Sequence, residues 1–470
     1  MTSALRRPSE SVTTAARRVR APAPQRWWGD VAGSAAFMSV VAVVALWLSN
    51  RGLQNLAGAG GVATTIGRLT GLVAADLLIL QVLLMARIPW VERSYGQDKL
   101  ARRHRLVGFV SFWLMVAHVV LITVGYAQQG HAGLVDETWS LVTTYPGMLL
   151  ATAGTALLVA VVALSIRAAR RRLRYESWHL LHLYAYLGVG LALPHQIWTG
   201  ADFIGSAAAQ AFWWTWYGAA LAAVIVFRLG LPLWRSLYHR LEVHAVVPET
   251  PGVVSVYLRG NHLDRLPVRA GQFFLWRFRD GPGWTRANPY TLSAVARTNM
   301  LRITVKDLGD GSSRLAGLRP GTRAFIEGPF GALTAATRKR RKVLLMAAGV
   351  GITTMRALLE DLTLRPGDAT LIYRISRPED AVFRAELGEL ARRRGARVIY
   401  LDGGRASGSS WLPAHLGHLS DVDALRWMVP DVAVHDAYLC GPPSWMDTVR
   451  DSLRDAGIPP DHIHIEEFAW

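Results

Sequence analysis

Six apolar runs fill the first half of this chain, near 31–48, 66–86, 106–127, 146–166, 178–197 and 210–229. A hydrocarbon core is crossed by roughly 20 helical residues, so runs of this length predict a polytopic α-helical membrane domain of six helices. Beyond residue 240 the texture changes to short strand-like runs with turns, then to alternating strands and helices. Four segments follow. They are a basic, disordered tail over 1–30, a transmembrane domain over 31–240, a small β domain over 241–335 and an α/β domain over 336–470.

Charge orients the membrane half. Arginines gather in alternate connections: Arg6, Arg7, Arg17, Arg18, Arg20 and Arg26 in the tail, Arg87, Arg93, Arg102, Arg103 and Arg105 after the second run, and Arg167, Arg170, Arg171, Arg172 and Arg174 after the fourth. The opposite connections carry Asp136, Glu137 and Asp202 instead. By the positive-inside rule the N-terminus and both soluble domains are cytoplasmic, in a multi-pass protein of the cell membrane. The net charge of +18 is therefore read as topological, and nucleic-acid binding is excluded. The tail's arginines do not lead into a short apolar stretch with a small-residue cleavage site, so the first run is read as a retained anchor. The single cysteine, Cys440, leaves no intrachain disulfide and no cysteine-based metal site.

Imidazole is costly in lipid and needs a reason to be there. His104 and His118 stand just before and within the third run, about 21 Å apart along an ideal helix axis and only about 40° apart in direction. The fifth run repeats the arrangement with His182 and His195. Both runs cross from inside to outside, so His104 pairs in depth with His182, and His118 with His195. Two stacked bis-imidazole sites predict two b-type haems. Ideal geometry turns His195 about 140° from the face of His182, which Pro194 can rephase by removing a backbone hydrogen bond. His179 stands as the alternative ligand. Trp113, Phe112 and Tyr186 fall between the two levels, where large aromatics are ordinary packing. Arg102, Arg103 and Arg105 are candidate partners for inner-haem propionates, and Arg68 for those of the outer haem.

In the soluble half, VVSVYLR, QFFLWRF, LRITVKDLG and TRAFIEG alternate as strands of a small antiparallel barrel. Strand–helix alternation from residue 342 onward predicts a parallel sheet. In AAGVGITTMRALL, small residues at Gly349 and Gly351 let a helix N-terminus approach a pyrophosphate.

Taken in order, RANPYTLSA, KDLGDGSSRL, GVGITTMR and LCGPPSWMDTV resemble the motifs of the ferredoxin–NADP⁺ reductase family. With the paired-histidine runs, the chain resembles ferric reductases and NADPH oxidase-type transmembrane electron carriers. The resemblance implies an FR-type FAD domain and roles carried over by position. Tyr290 and Thr291 would contact the isoalloxazine, with Pro289, Leu292 and Ser293 beside them. Lys306, Gly309 and Ser312 would approach the FAD diphosphate. Gly349, Gly351, Ile352 and Thr353 would form the nucleotide loop, and Cys440, Gly441 and Pro442 would flank the nicotinamide. Phe468, or alternatively Trp470, would cover the flavin. Arg374 and Arg377 follow the second α/β strand, where guanidinium suits a 2′-phosphate, so NADPH is favoured and NADH stays open. One position departs from the family: Asn288 stands where Arg or His usually precedes the proline, and Arg286 is the candidate replacement.

The implied activity is a flavohaem oxidoreductase. Electrons would pass from NADPH through FAD and two haems to a ferric chelate or O2 across the lipid bilayer. Cofactors carry such chemistry, so no acid–base pair or nucleophile is required, and Cys440 is given no nucleophilic role. The rival expectation is a haem-binding or sensory membrane protein whose reductase half has lost its flavin, with Asn288 as its support.

Overall fold

The long apolar runs form helices because a lipid core offers the backbone no other partners, and their few hydroxyls, such as Thr123 and Thr152, donate back to carbonyls one turn earlier. The computed structural model describes residues 27–54, 56–166, 175–406 and 410–466, apart from the side chains at 98, 175, 176, 179 and 310. The chain divides into two compact units: residues 27–88 with 99–228, and residues 89–98 with 229–466.

In the first unit the helices are α1 (Trp27–Ser49), α2 (Gly61–Met85), α4 (Gln97–Gly130, from residue 99), α5 (Leu134–Thr144), α6 (Met148–Ser165), α7 (Tyr175–Thr199) and α8 (Ala207–Ala223). Gly60 and Gly147 take left-handed backbone just before α2 and α6. The Ser206 hydroxyl accepts from the Ala209 N–H and caps α8. Close crossings use small residues. A Cβ on Gly125 would collide with Thr64 of α2, and one on Gly154 would meet the Gly188 carbonyl of α7 at 2.6 Å.

Among the described residues, five helices rather than six are long and apolar enough to cross a membrane. Helix α7 has the length, but its histidines, Gln196 and Pro194 dilute its apolar content. It runs unbroken through Pro194. After α8 the chain passes through a π segment, Val224–Gly230, into the last turns, α9 (Leu231–His239).

The second unit holds the short helix α3 (Pro89–Tyr95), α9 and the soluble half. The β domain is not one closed barrel. Its six antiparallel strands form two three-stranded sheets, ordered β1-β2-β5 and β4-β3-β6. The strands are β1 (Glu242–Thr250), β2 (Val253–Arg259), β3 (Phe273–Phe278), β4 (Asn288–Thr291), β5 (Leu301–Lys306) and β6 (Ala324–Phe330). At the seams the sheets are linked by the isolated bridges Glu242–Arg323 and Leu292–Ile303 and by main-chain bonds such as Val243 N–H to the Thr322 carbonyl. Strand β4 is four residues long and contains Pro289, which has no N–H to extend a ladder. Between the sheets lies an apolar core that includes Val256, Leu258, Phe274, Trp276 and Ile303, each fully buried.

The last third is a five-stranded parallel sheet ordered β11-β10-β7-β8-β9. Its strands are β7 (Lys342–Ala348), β8 (Ala369–Arg374), β9 (Arg397–Leu401), β10 (His435–Cys440) and β11 (Ile463–Ile465). Separate apolar clusters cover its two faces, as the near-continuous hydrophobic strands require. The chain reverses its direction of sheet growth between β7 and β10. A crevice therefore opens at the carboxyl ends of these neighbouring strands.

Candidate functional site

The four histidines singled out in the helical unit approach one another in two pairs. The rings of His104 and His182 are 6.0 Å apart between centroids, inclined by 67°. His118 and His195 are within electrostatic reach of each other. The side chain of His179 lies outside the described residues, so His182 is the described imidazole that faces His104.

Three of the four rings are fixed through Nδ1. That atom of His118 is 2.8 Å from the Gly67 carbonyl, and that of His195 meets the Ala192 carbonyl. In His182 it lies 3.3 Å from Ser165 Oγ, whose own proton goes to the Val161 carbonyl. Each of these oxygens can only accept, so the ring proton sits on Nδ1 and the Nε2 lone pair is left for a metal. The donor set fits two haem irons. Among the described residues no three His, Cys, Asp or Glu side chains converge, as a metal site built from protein alone would need. Helix α2 makes room for one ring, since a Cβ on Gly71 would overlap the imidazole of His118. Arg68 does not stand free for a propionate. It is paired with Asp202, with Nε to Oδ2 at 2.9 Å and Nη2 to Oδ1 at 2.6 Å.

In the β domain, Asn288, Pro289 and Tyr290 are half-buried on β4, and Thr291 is buried. Burial pushes the Tyr290 phenol above its ordinary range. Leu292 and Ser293 do not offer their side chains to a flavin. Leu292 belongs to the apolar core, and the wholly buried Ser293 hydroxyl accepts from Arg302 Nε at 3.0 Å and Thr304 Oγ1 at 2.8 Å. Both residues lie just past the end of β4, where tertiary packing turns them inward, and their N–H groups go to the Gln272 and Arg302 carbonyls.

Asn288 faces the glycine-rich segment after β5: a Cβ on Gly311 would sit 3.1 Å from its Oδ1. In that segment Gly309 takes φ +135°, and Ser312 Oγ closes the turn by accepting from the Leu308 N–H at 2.8 Å. Lys306 and Arg286 are exposed. The cation beside the Tyr290 phenol is Arg314, held by Asp280 through Nε to Oδ2 at 2.9 Å. Sequence reasoning missed Arg314, although it follows the singled-out glycine–serine run directly.

In the α/β domain the two predicted motifs meet. The turn Gly349–Gly351 leads from β7 into α10 (Ile352–Asp361), and a Cβ on Gly351 would strike the Cys440 carbonyl at the end of β10. Thr353 Oγ1 donates to the Val350 carbonyl at 2.9 Å, while the Ile352 side chain is core. Gly441 packs against the Trp445 ring, and Pro442 precedes the helix Pro443–Asp455. Burial pushes the Cys440 thiol up to about 12, and its sulfur lies 3.6 Å from Thr354 Oγ1. A neutral thiol of this kind is not a nucleophile.

Arg374 and Arg377 differ sharply. The guanidinium of Arg374 donates to the carbonyls of Trp411, Ile375, Leu401 and Gly404, bracing the loop after β9. Arg377 is exposed and pairs with Glu379 and Asp380. Phe468 and Trp470 lie outside the described residues.

Comparisons with known proteins agree with this division. Residues 70–193 match the family model "Ferric reductase like transmembrane component", a stretch that contains His104, His118 and His182. The chain is 32% identical over 238 residues to the ferredoxin reductase component of 3-ketosteroid-9-alpha-monooxygenase from Mycolicibacterium smegmatis, covering 48% of this chain and 65% of that protein. It is 27% identical over 227 residues to a flavohemoprotein of Bacillus subtilis, covering 47% and 56%. The chain thus spans less than two thirds of the length of these relatives. Among solved structures, the ferredoxin reductase in carbazole 1,9a-dioxygenase matches with 23% identity and a TM-score of 0.41, over 49% of this chain and 69% of that one. The chain joins a membrane-embedded half similar to ferric reductase transmembrane components to a half similar to ferredoxin reductase-type FAD/NAD(P)-binding proteins.

Proposed function

We propose that this chain is an NAD(P)H-dependent flavohaem oxidoreductase that moves electrons across a membrane. NADPH is the donor and FAD the first acceptor. Two b-type haems, ligated by His104 with His182 and by His118 with His195, carry the electrons to a ferric chelate or O2 on the far side. Arginine-rich connections support placing the tail and the soluble half in the cytoplasm.

The carrying observation is the set of Nδ1 hydrogen bonds on His118, His182 and His195, each leaving Nε2 as a ligand. The His104 and His182 rings, 6.0 Å apart between centroids, are near enough that both imidazoles would hold one haem iron. The bound groups supply hydride and single-electron chemistry; the protein orients and insulates them.

Each chain segment has a distinct role in this reading. The Gly349–Gly351 turn and the α10 N-terminus receive the nucleotide pyrophosphate, and Cys440 to Pro442 form the opposite wall. Tyr290 and Thr291 face the flavin ring, backed by the buried Leu292 and Ser293. Gly309 and Ser312 line the approach to the diphosphate, with Arg314 supplying the charge that Asn288 does not. Because Arg374 is committed to carbonyls, preference for a 2′-phosphate falls to Arg377 exchanging its carboxylate partners.

Purified protein tests this reading directly. Flavin absorbance together with a reduced b-type haem spectrum on adding NADPH supports it. Haem without flavin favours a sensory protein, and a colourless protein overturns the assignment. Superoxide trapping, compared with ferric-chelate reduction, then separates the two acceptors.

A further inference from the structure

The main chain leaving the flavin motif is held by side chains from both soluble domains, Arg302 of β5 and Arg356 and Glu360 of α10. The Ser293 carbonyl accepts from Arg302 Nη2 at 2.9 Å and from Arg356 Nη1 at 3.3 Å. Two residues on, the Val295 N–H donates to Glu360 Oε2 at 3.1 Å. Arg356 and Glu360 lie one turn apart and ion-paired on α10, the helix that starts at the Gly349–Gly351 turn. Any tilt of that helix is therefore transmitted to the exit of the flavin motif.

Two guanidiniums sharing one carbonyl would repel each other away from water. Arg302 and Arg356 have side chains only 7% and 9% exposed. Glu386, in the first turn of the helix Arg384–Arg394, resolves the conflict. Its two oxygens take Arg302 in a fork, Nη1 to Oε2 at 3.0 Å and Nη2 to Oε1 at 3.1 Å. Oε1 also takes Arg356 Nη2 at 2.6 Å. The ring of Phe383 stacks under Arg302, 4.5 Å from the guanidinium carbon, and fixes the plane of the fork.

We infer that Glu386 is a positioning residue for hydride transfer, holding the nucleotide helix and the flavin motif in one register through Arg302 and Arg356. The inference rests on the assignment of those two motifs made above. In the step it governs, one hydrogen and two electrons leave the nicotinamide ring together and arrive on the flavin ring. That transfer requires near-contact alignment, and about 1 Å of misplacement costs on the order of a hundredfold in rate. Glu386 touches neither ring, so its removal acts on alignment rather than on the reacting atoms.

Anaerobic stopped-flow bleaching of the flavin by NADPH, in the full-length protein, is the test. Glu386→Gln should lower the limiting rate of flavin reduction by about tenfold or more. It should leave the half-saturating NADPH concentration within about twofold and the flavin content and dithionite reduction unchanged, because the groups that bind nucleotide and flavin stay in place. Glu386→Asp should recover part of the rate. Glu389→Gln, on the same helix but exposed and paired with Arg392 and Arg393, should match the parent. Should Glu386→Gln fail to fold, Arg356→Met decides, since it removes the α10 guanidinium from Ser293, Glu360 and Glu386 while Arg302 keeps its fork on Glu386. A limiting rate equal to the parent's in a folded, flavin-loaded variant overturns the inference, as does a loss of thermal stability with no loss of rate. A parent protein whose bound flavin NADPH does not bleach overturns the assignment of the two motifs instead.

Discussion

His118 donates from Nδ1 to the Gly67 carbonyl across 2.8 Å, while the neighbouring turn of the same partner helix offers Gly71 to its ring. Gly71→Leu should therefore displace the imidazole and cost one of two haems, as should His118→Ala. Gly190→Ala, at a glycine with no heavy atom within 4 Å of an added Cβ, should keep both. The haem-to-protein ratio of purified protein checks all three.

The seat of Gly351 on the Cys440 carbonyl predicts a second separation. Gly351→Ala should force the nucleotide turn away from β10 and abolish flavin reduction by NADPH, with flavin content retained. Cys440→Ala should reduce the rate only modestly. Burial pushes that thiol up to about 12, so it stays protonated across the physiological range. Its ionisation should leave no inflection in the pH–rate profile between about pH 6 and 9, which steady-state assays would show.

Arg314 stands beside the Tyr290 phenol and is oriented by Asp280. Arg314→Ala should weaken FAD binding by about tenfold or more, the scale of one charge-assisted hydrogen bond. Arg286→Ala, at an exposed position, should change it little. Flavin fluorescence titration of apoprotein reads both.

Acid should release one anchor of the α/β sheet. Asp436 is wholly buried and accepts from the Lys339 and Arg340 N–H groups, each at 2.6 Å, and from His462 Nδ1 at 2.7 Å. Burial by itself raises this carboxyl, but those donors outweigh it and hold the group below the usual aspartate value. A carboxyl lowered in the folded state stabilises the fold above its unfolded pKa, and that stability is lost as pH falls through the folded value. Asp436→Asn should thus destabilise by about 1–3 kcal/mol near neutrality, and the difference should close as pH falls below about 4. Thermal unfolding at a series of pH values would show it.

Much of this organisation is legible in residue order. The apolar runs, the spacing of His104 with His118, and the glycines of the nucleotide turn each follow from helix length, helix period or the need for close approach. Helix α7 shows where that reading stops. Its apolar run predicted a span, yet the histidines that make it interesting also dilute it. Pro194 lies inside the helix without ending it. For Ser293 and Leu292 the motif names the right segment, but tertiary packing past the end of β4 turns both side chains inward. Arg374 and Arg314 show the opposite failure. One attractive guanidinium is spent on loop carbonyls, and an overlooked one stands at the flavin motif. Such commitments depend on which carbonyls tertiary packing brings near, and local sequence carries no record of them.

The tethers on the membrane histidines end on main-chain carbonyls at Gly67 and Ala192, and on a serine that is itself anchored to the Val161 carbonyl. A carbonyl survives any side-chain replacement at its own position. A scan of substitutions at 67 or 192 would leave that oxygen in place unless it moved the backbone, so the orientation of those rings is written in main-chain position, across to α2 for His118 and one turn back along its own helix for His195, and would escape a residue-by-residue search for their partners.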